Sequence, residues 1–205
     1  MKKITHHGFT MVELLIATSV FSVILLLAAN GIVYVGRLYQ KGASSIKAQE
    51  VTRSVVDEIK NDFELNGGKY IPLSPSGTKK GFCIGNNLYS YQPKVKIPSN
   101  GNRHALIVRK IPDCKATTPP DDVAAYPVGG ARELLGPNML LQNDDVISNV
   151  SANAKALTIT ITIVSAVEND LFDPATGLCK GGLGSQFCAT SSLKTYAIKR
   201  VNTYN

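Results

Sequence analysis

Residues 14–35 form an almost unbroken apolar run without a single charge, and an acidic residue, Glu13, stands immediately before it. A run of that length is enough for a helix to cross the hydrocarbon core of a bilayer. The rest of the chain has the composition of an ordinary soluble domain. Two readings compete. A secretory signal would be cut near small residues, here Ala28, Ala29 and Asn30, and discarded. A retained anchor would stay with the mature protein. The first reading leaves Glu13 unexplained, because a free carboxylate at the head of a lipid-facing helix is costly and needs a partner. Flanking charge does not orient the segment, since Lys2 and Lys3 are matched by Arg37 and Lys41.

Gly8, Phe9, Thr10, Met11, Val12 and Glu13, running into Leu14, Leu15, Ile16 and Ala17, resemble the class III signal of type IV pilins and type II secretion pseudopilins. The resemblance covers residues 1 to about 60. It implies that a membrane aspartyl peptidase cuts after Gly8 and methylates the new amine of Phe9, while the apolar stretch is kept. It also implies that the leader is cytoplasmic and that everything beyond about residue 35 lies outside. Glu13 would face the N-terminal amine of an adjoining subunit in an apolar filament core. Pairing the two charges lowers a burial cost that neither bears well alone. The competing role for Glu13 is an interfacial carboxylate reaching to headgroups.

Helical periodicity continues past the apolar run. Val51, Val55, Ile59 and Phe63 recur every fourth residue, with Ile46 and Val56 beside them, and Arg53, Asp57, Glu58, Lys60, Asp62 and Glu64 supply polar surface. Asn66, Gly67 and Gly68 form a stop signal. The spacing predicts one helix from Phe9 to about Leu65, roughly 85 Å long. Asn30 with Gly31, and Gly42 with Ser44 and Ser45, are two places where it is expected to bend. The expected organisation is a leader over 1–8, a helix over 9–66 and a β-rich head over 67–205. Within the helix, 9–36 serves membrane and filament core, and 37–66 packs on the head.

In the head, candidate strands are 81–84, 88–91, 103–110, 155–167 and 193–201. Asn86 and Asn87 are placed in a tight turn between the first two. The alternation of Thr158, Ile159, Thr160, Ile161, Thr162 and Ile163 predicts isoleucines on a buried face and threonines on the other. Pro- and Gly-rich connections at 71–80, 112–130 and 169–184 separate the strands. The fold class expected from these elements and from the resemblance is α+β: a long N-terminal helical spine packed against an antiparallel β-sheet domain, as in type IV pilins. The combination of residues 17–22, the later helix around 53–59 and a large β-rich part is further similar to minor pilins of the PilW type and to J-type pseudopilins, which size and loop content fit. Cys83, Cys114, Cys179 and Cys188 all lie beyond the anchor. In an exported domain they allow two disulfides and three pairings, among which a local Cys179–Cys188 clip with a Cys83–Cys114 bridge is favoured. Their spacing does not suit a zinc ribbon.

No catalytic set emerges. His6 and His7 belong to the leader. His104 is expected to face solvent or to satisfy a hydrogen bond in its strand. Neither a phosphate loop nor a nucleophile elbow is present. Acidic pairs occur at Asp121 with Asp122, Asp144 with Asp145, and Asp170 with Asp173. Residues 169–177 are the best calcium candidate, yet they lack spaced oxygen ligands and read first as a capped turn. The formal charge of +7, which becomes +5 when Lys2 and Lys3 leave with the leader, comes without a cluster of basic and aromatic residues for nucleic acid.

The expectation is therefore a structural subunit with no enzyme activity, cofactor or metal: a minor, tip or initiation pilin. The resemblance implies other pilins, a prepilin peptidase, a platform protein and an assembly ATPase as partners. The alternatives are a secretion pseudopilin, and a helix-mounted module that binds DNA or a host surface.

Overall fold

A computed structural model describes residues 10–65, 69–99, 103–123, 129–148, 150, 155–167, 171–173, 175–182 and 184–200. The chain divides into two units, 1–40 and 41–205, and one helix, α1 (Met11–Leu65), runs through the boundary. It continues without interruption past Asn30, Gly31 and Gly42. One glycine in a helix costs about 1 kcal/mol relative to alanine, too little to break a long apolar helix.

From residue 48 onward α1 buries one face: Ala48, Thr52, Val55, Val56, Ile59 and Phe63. Steps of three and four keep these side chains on one stripe. Ile46 does not join it and is 67% exposed. It precedes Val55 by nine residues, two and a half turns at about 100° per residue, which places it on the opposite side.

The stripe packs into a core shared with two antiparallel sheets. The first is a meander of β1 (Tyr70–Pro72), β2 (Lys80–Ile84), β3 (Asn87–Tyr91), β4 (Leu106–Lys110) and β5 (Arg132–Glu133), each paired with the next. The second centres on β8 (Ala156–Ala166). One side of β8 carries β6 (Met139–Leu141) and β7 (Ile147–Ser148), and the other carries β9 (Cys188–Ile198) along its whole length. The helix, sheet and strand pattern is the α+β arrangement of type IV pilins. Phe63, Ile59, Phe82, Tyr89, Leu106 and Met139 are among its fully buried side chains. Each such apolar side chain contributes on the order of 1.5–3 kcal/mol.

Several strand expectations shift. The β2–β3 turn is Gly85 and Asn86, with Asn87 already paired to Ile84, because Gly85 takes the positive φ (57°) that a two-residue hairpin requires. β9 starts five residues before the expected 193, and the strand expected from 103 starts at Leu106. On β8 the isoleucines are buried as expected, but Thr158 and Thr162 are buried too. Neighbouring strands on both sides shade the threonine face, and Thr162 shares a hydroxyl hydrogen bond of 2.8 Å with Ser192. Strands β1, β5, β6 and β7, two or three residues each, have too little sequence to show a period.

Two disulfides fasten the loops. Cys83 on β2 is joined to Cys114, with Cα atoms 6.4 Å apart, beneath a small second core of Leu73, Leu88 and Ile111. Arg109 reinforces it with two 2.8 Å hydrogen bonds to Asp121. Cys179 is joined to Cys188, Cα atoms 5.7 Å apart, beside Leu140, Val164, Ala166 and Phe172.

Candidate anchor and assembly site

The head of α1 is built from a reciprocal cap. The Thr10 hydroxyl accepts from the Glu13 backbone N–H at 3.3 Å. The Glu13 carboxylate reaches back to accept from the Thr10 backbone N–H at 3.0 Å and from its hydroxyl at 2.9 Å. This is the Thr-x-x-Glu capping box, in which two otherwise unsatisfied donors at a helix start find acceptors. The sequence reading considered Glu13 only through its charge and missed the local signal, a threonine three residues before it. The two readings are compatible, since a carboxylate at the third helical position also complements the positive end of the helix dipole.

Behind the cap, the apolar stretch is exposed along its length; Leu14, Leu15, Ile16, Phe21, Ile24, Leu27, Ile32 and Tyr34 all face outward. An 18-residue window meets the length and composition needed to cross a membrane, and none of it is buried. A helix that is apolar all round and touches no core is a membrane span rather than a core helix. Its serine and threonine hydroxyls are satisfied within it. Thr18 donates to the carbonyls of Leu14 (3.0 Å) and Leu15 (3.1 Å), Ser19 to Ile16 (2.8 Å) and Ser22 to Thr18 (2.8 Å). Such internal bonds let polar residues sit in lipid at low cost. The predicted cleavage pair, Gly8 and Phe9, lies outside the described residues, as does the whole leader.

Within the globular unit, the residues considered for chemistry are engaged in structure. Of the two expectations for His104, solvent exposure or a hydrogen bond in its strand, the first does not hold. It is largely covered, with Nδ1 3.2 Å from the Glu133 carboxylate. That carboxylate also accepts backbone N–H bonds from Ala105, Leu106, Leu134 and Leu135 at 2.9–3.2 Å, tying β4 to β5. Burial pushes its pKa above the ordinary carboxylate value, against the opposing pull of these N–H donors and of His104. Asp62 on α1 accepts from the Asn87 amide and the Tyr89 hydroxyl, and burial followed by that bond raises the Tyr89 phenol far above its usual pKa.

Four of the acidic residues weighed for calcium are likewise occupied. Asp121 pairs with Arg109, Asp122 with Lys79 at 2.6 Å, and Asp145 with Lys80 at 3.1 Å. Asp173 caps its own turn through the Ala175 N–H (3.0 Å) and the Thr176 hydroxyl (2.9 Å), bonds that hold its pKa below the usual value. Asp170 lies outside the described residues. Among the described residues, no group of three or more His, Cys, Asp or Glu side chains is placed to hold a metal ion.

Comparison with known families agrees with the anchor. The model of the prokaryotic N-terminal methylation motif matches residues 5–29. Together with the long apolar helix, this match corresponds to the class III prepilin signal of type IV pilins and pseudopilins. No curated protein and no solved structure matches the chain. The chain thus has the features of a pilin- or pseudopilin-like structural subunit with a membrane-anchoring helix.

Proposed function

We propose that this protein is a minor subunit of a type IV pilus-like filament, acting at its tip or in its initiation. The observation that carries the reading is the capped carboxylate of Glu13 at the head of a helix whose next two dozen residues find no protein core of their own. A peptidase cuts between Gly8 and Phe9 and methylates the new amine. The mature helix then waits in the cytoplasmic membrane with the head outside. On extraction, the apolar helix exchanges lipid for sister helices, and Glu13 pairs with the amine of an adjoining subunit. The divisions at 1–8, 9–66 and 67–205 follow this sequence of events. Polymerisation needs no catalytic residue in the subunit; energy and placement come from an assembly ATPase and a platform protein.

Mass spectrometry of sheared, purified filaments tests the proposal. The expected result is an N-methylated peptide starting at Phe9, present far below one copy per major subunit. Stoichiometric abundance would make the chain the main building block. Processing at Phe9 in membranes, with absence from surface filaments, would favour the pseudopilin reading, which shares the same anchor. A mature terminus near Asn30 would overturn both.

A further inference from the structure

The far end of the membrane span carries two cations that nothing in the chain neutralises. Arg37 and Lys41 follow the apolar run directly, both are exposed, and no carboxylate stands between Glu13 and Glu50. Among the described residues, neither side chain enters a salt bridge. On the continuous helix α1 they are four positions apart, so they share one face a single turn apart, where like charges repel. Helical periodicity sets Tyr34 and Leu38 on that face too. Such a pair requires an anion from outside the chain.

Its place along the span says which anion. At about 1.5 Å per residue, the run from 14 to 35 covers roughly 33 Å, against about 30 Å for the hydrocarbon core of a bilayer. The Cα atoms of Arg37 and Lys41 then stand roughly 3 and 9 Å beyond the run. The headgroup layer is roughly 5–7 Å deep on each side. Side chains on a helix lean toward its N-terminus, which here is toward the bilayer, so both cationic groups are carried back into the phosphate layer. Tyr34 and Tyr39, 64% and 76% exposed, lie at the same level, where amphipathic rings are favoured.

We propose that Arg37 and Lys41 together hold the phosphate of an anionic lipid headgroup at this end of the span. The guanidinium offers a planar fork to two phosphate oxygens, and the ammonium brings a point charge to a third. One phosphate between the two cations also offsets their mutual repulsion. A lipid with net negative charge is preferred over a zwitterionic one, whose own cation counters its phosphate. The inference rests on the membrane stage of the subunit reading and adds what holds the helix at a fixed depth before extraction.

The chain contains no tryptophan, so Leu38→Trp sets a single indole between the two cations. The full-length protein with this change is reconstituted in vesicles of equal parts phosphatidylglycerol and phosphatidylcholine, with bromine near the top of the acyl chains of one lipid or the other. Bromine quenches on contact, so the ratio of the two quenching efficiencies reports which lipid sits beside residue 38. Phosphatidylglycerol is expected to be enriched there about fivefold. Adding Arg37→Gln or Lys41→Gln should bring the ratio below about twofold. Lys41→Gln with Gly42→Lys keeps the net charge and nearly the same depth but turns the second cation about 140° away from Arg37. A Cβ at Gly42 meets nothing within 4 Å, so the change is accommodated. That variant should lose the enrichment as well. Replacing chloride by inorganic phosphate at matched ionic strength should leave the enrichment of the Leu38→Trp protein unchanged.

Equal quenching by the two lipids would overturn the proposal and leave the membrane anchor standing. Enrichment retained when the second cation is turned away would also overturn it, because a diffuse attraction needs no shared face. Loss of enrichment in inorganic phosphate would show a free anion, not a headgroup, between the cations. Quenching by neither lipid would put residue 38 outside the bilayer and overturn the membrane stage of the subunit reading together with this site.

Discussion

Glu13 holds its own helix start and, in the proposed filament, also meets a neighbour's amine. The two roles separate by substitution. Glutamine serves a capping box nearly as well as glutamate but carries no charge. Glu13→Gln should keep the amides of residues 11–14 protected from hydrogen exchange in micelles yet strongly reduce incorporation into filaments. Glu13→Ala should lose both. Equal incorporation of the glutamine variant and wild type would remove charge pairing from the mechanism. Thr10→Ala should speed exchange at the same amides roughly severalfold and leave the Ala48–Phe63 stripe unaffected.

Glu133 presents a different balance at the same scale. Its folded pKa is raised, so between its unfolded and folded values the native state binds more protons than the unfolded one. The stability it contributes is complete below the unfolded value of about 4.5 and declines as pH rises through the folded value. Glu133→Gln removes that dependence but sets an amide N–H₂ among backbone donors, at a cost of about 1–3 kcal/mol. Denaturant titrations at several pH values should show wild type losing stability relative to the variant as pH rises from 4. The opposite slope would mean that the N–H bonds and His104 outweigh burial.

At the scale of elements, the disulfides close loops of different size. The Cys83–Cys114 bridge spans 31 residues and Cys179–Cys188 spans 9. Loop-closure entropy then gives about 3–4 kcal/mol for the first and about 2–3 for the second. Replacing each pair with serine should lower unfolding stability in that order, as read by denaturant midpoint. Gly81 on β2 gives a sharper test of packing. A Cβ there would lie 2.7 Å from the Tyr89 carbonyl oxygen of the neighbouring strand. Gly81→Ala should therefore cost more than the usual exposed strand substitution, on the order of 1–3 kcal/mol. A neutral effect would show that β2 and β3 can separate freely.

For the whole molecule, the anchor was legible because its signals are local. The uncharged run and the four-residue stripe both lie within one continuous helix, where spacing translates directly into position. The longer strands β2, β3, β4, β8 and β9 were legible from apolar and β-branched runs, with errors at the ends where turn chemistry rather than periodicity sets the boundary. The short strands β1, β5, β6 and β7 were not, because two or three residues acquire extended pairing only from a neighbour already in place.

The same division applies to individual side chains. Sequence alone determined that the chain carries a lipid-compatible helix headed by an acid, a helical stripe that needs a core, and a β-rich remainder with four cysteines. Only the tertiary structure decided that Ile46 faces away from the core, that both faces of β8 are covered, that Glu133 gathers four backbone donors beside His104, and that β9 is left at an open edge. These depend on contacts between residues far apart in the chain, and the free energy of such contacts is set by what the fold brings opposite each residue rather than by the residue itself.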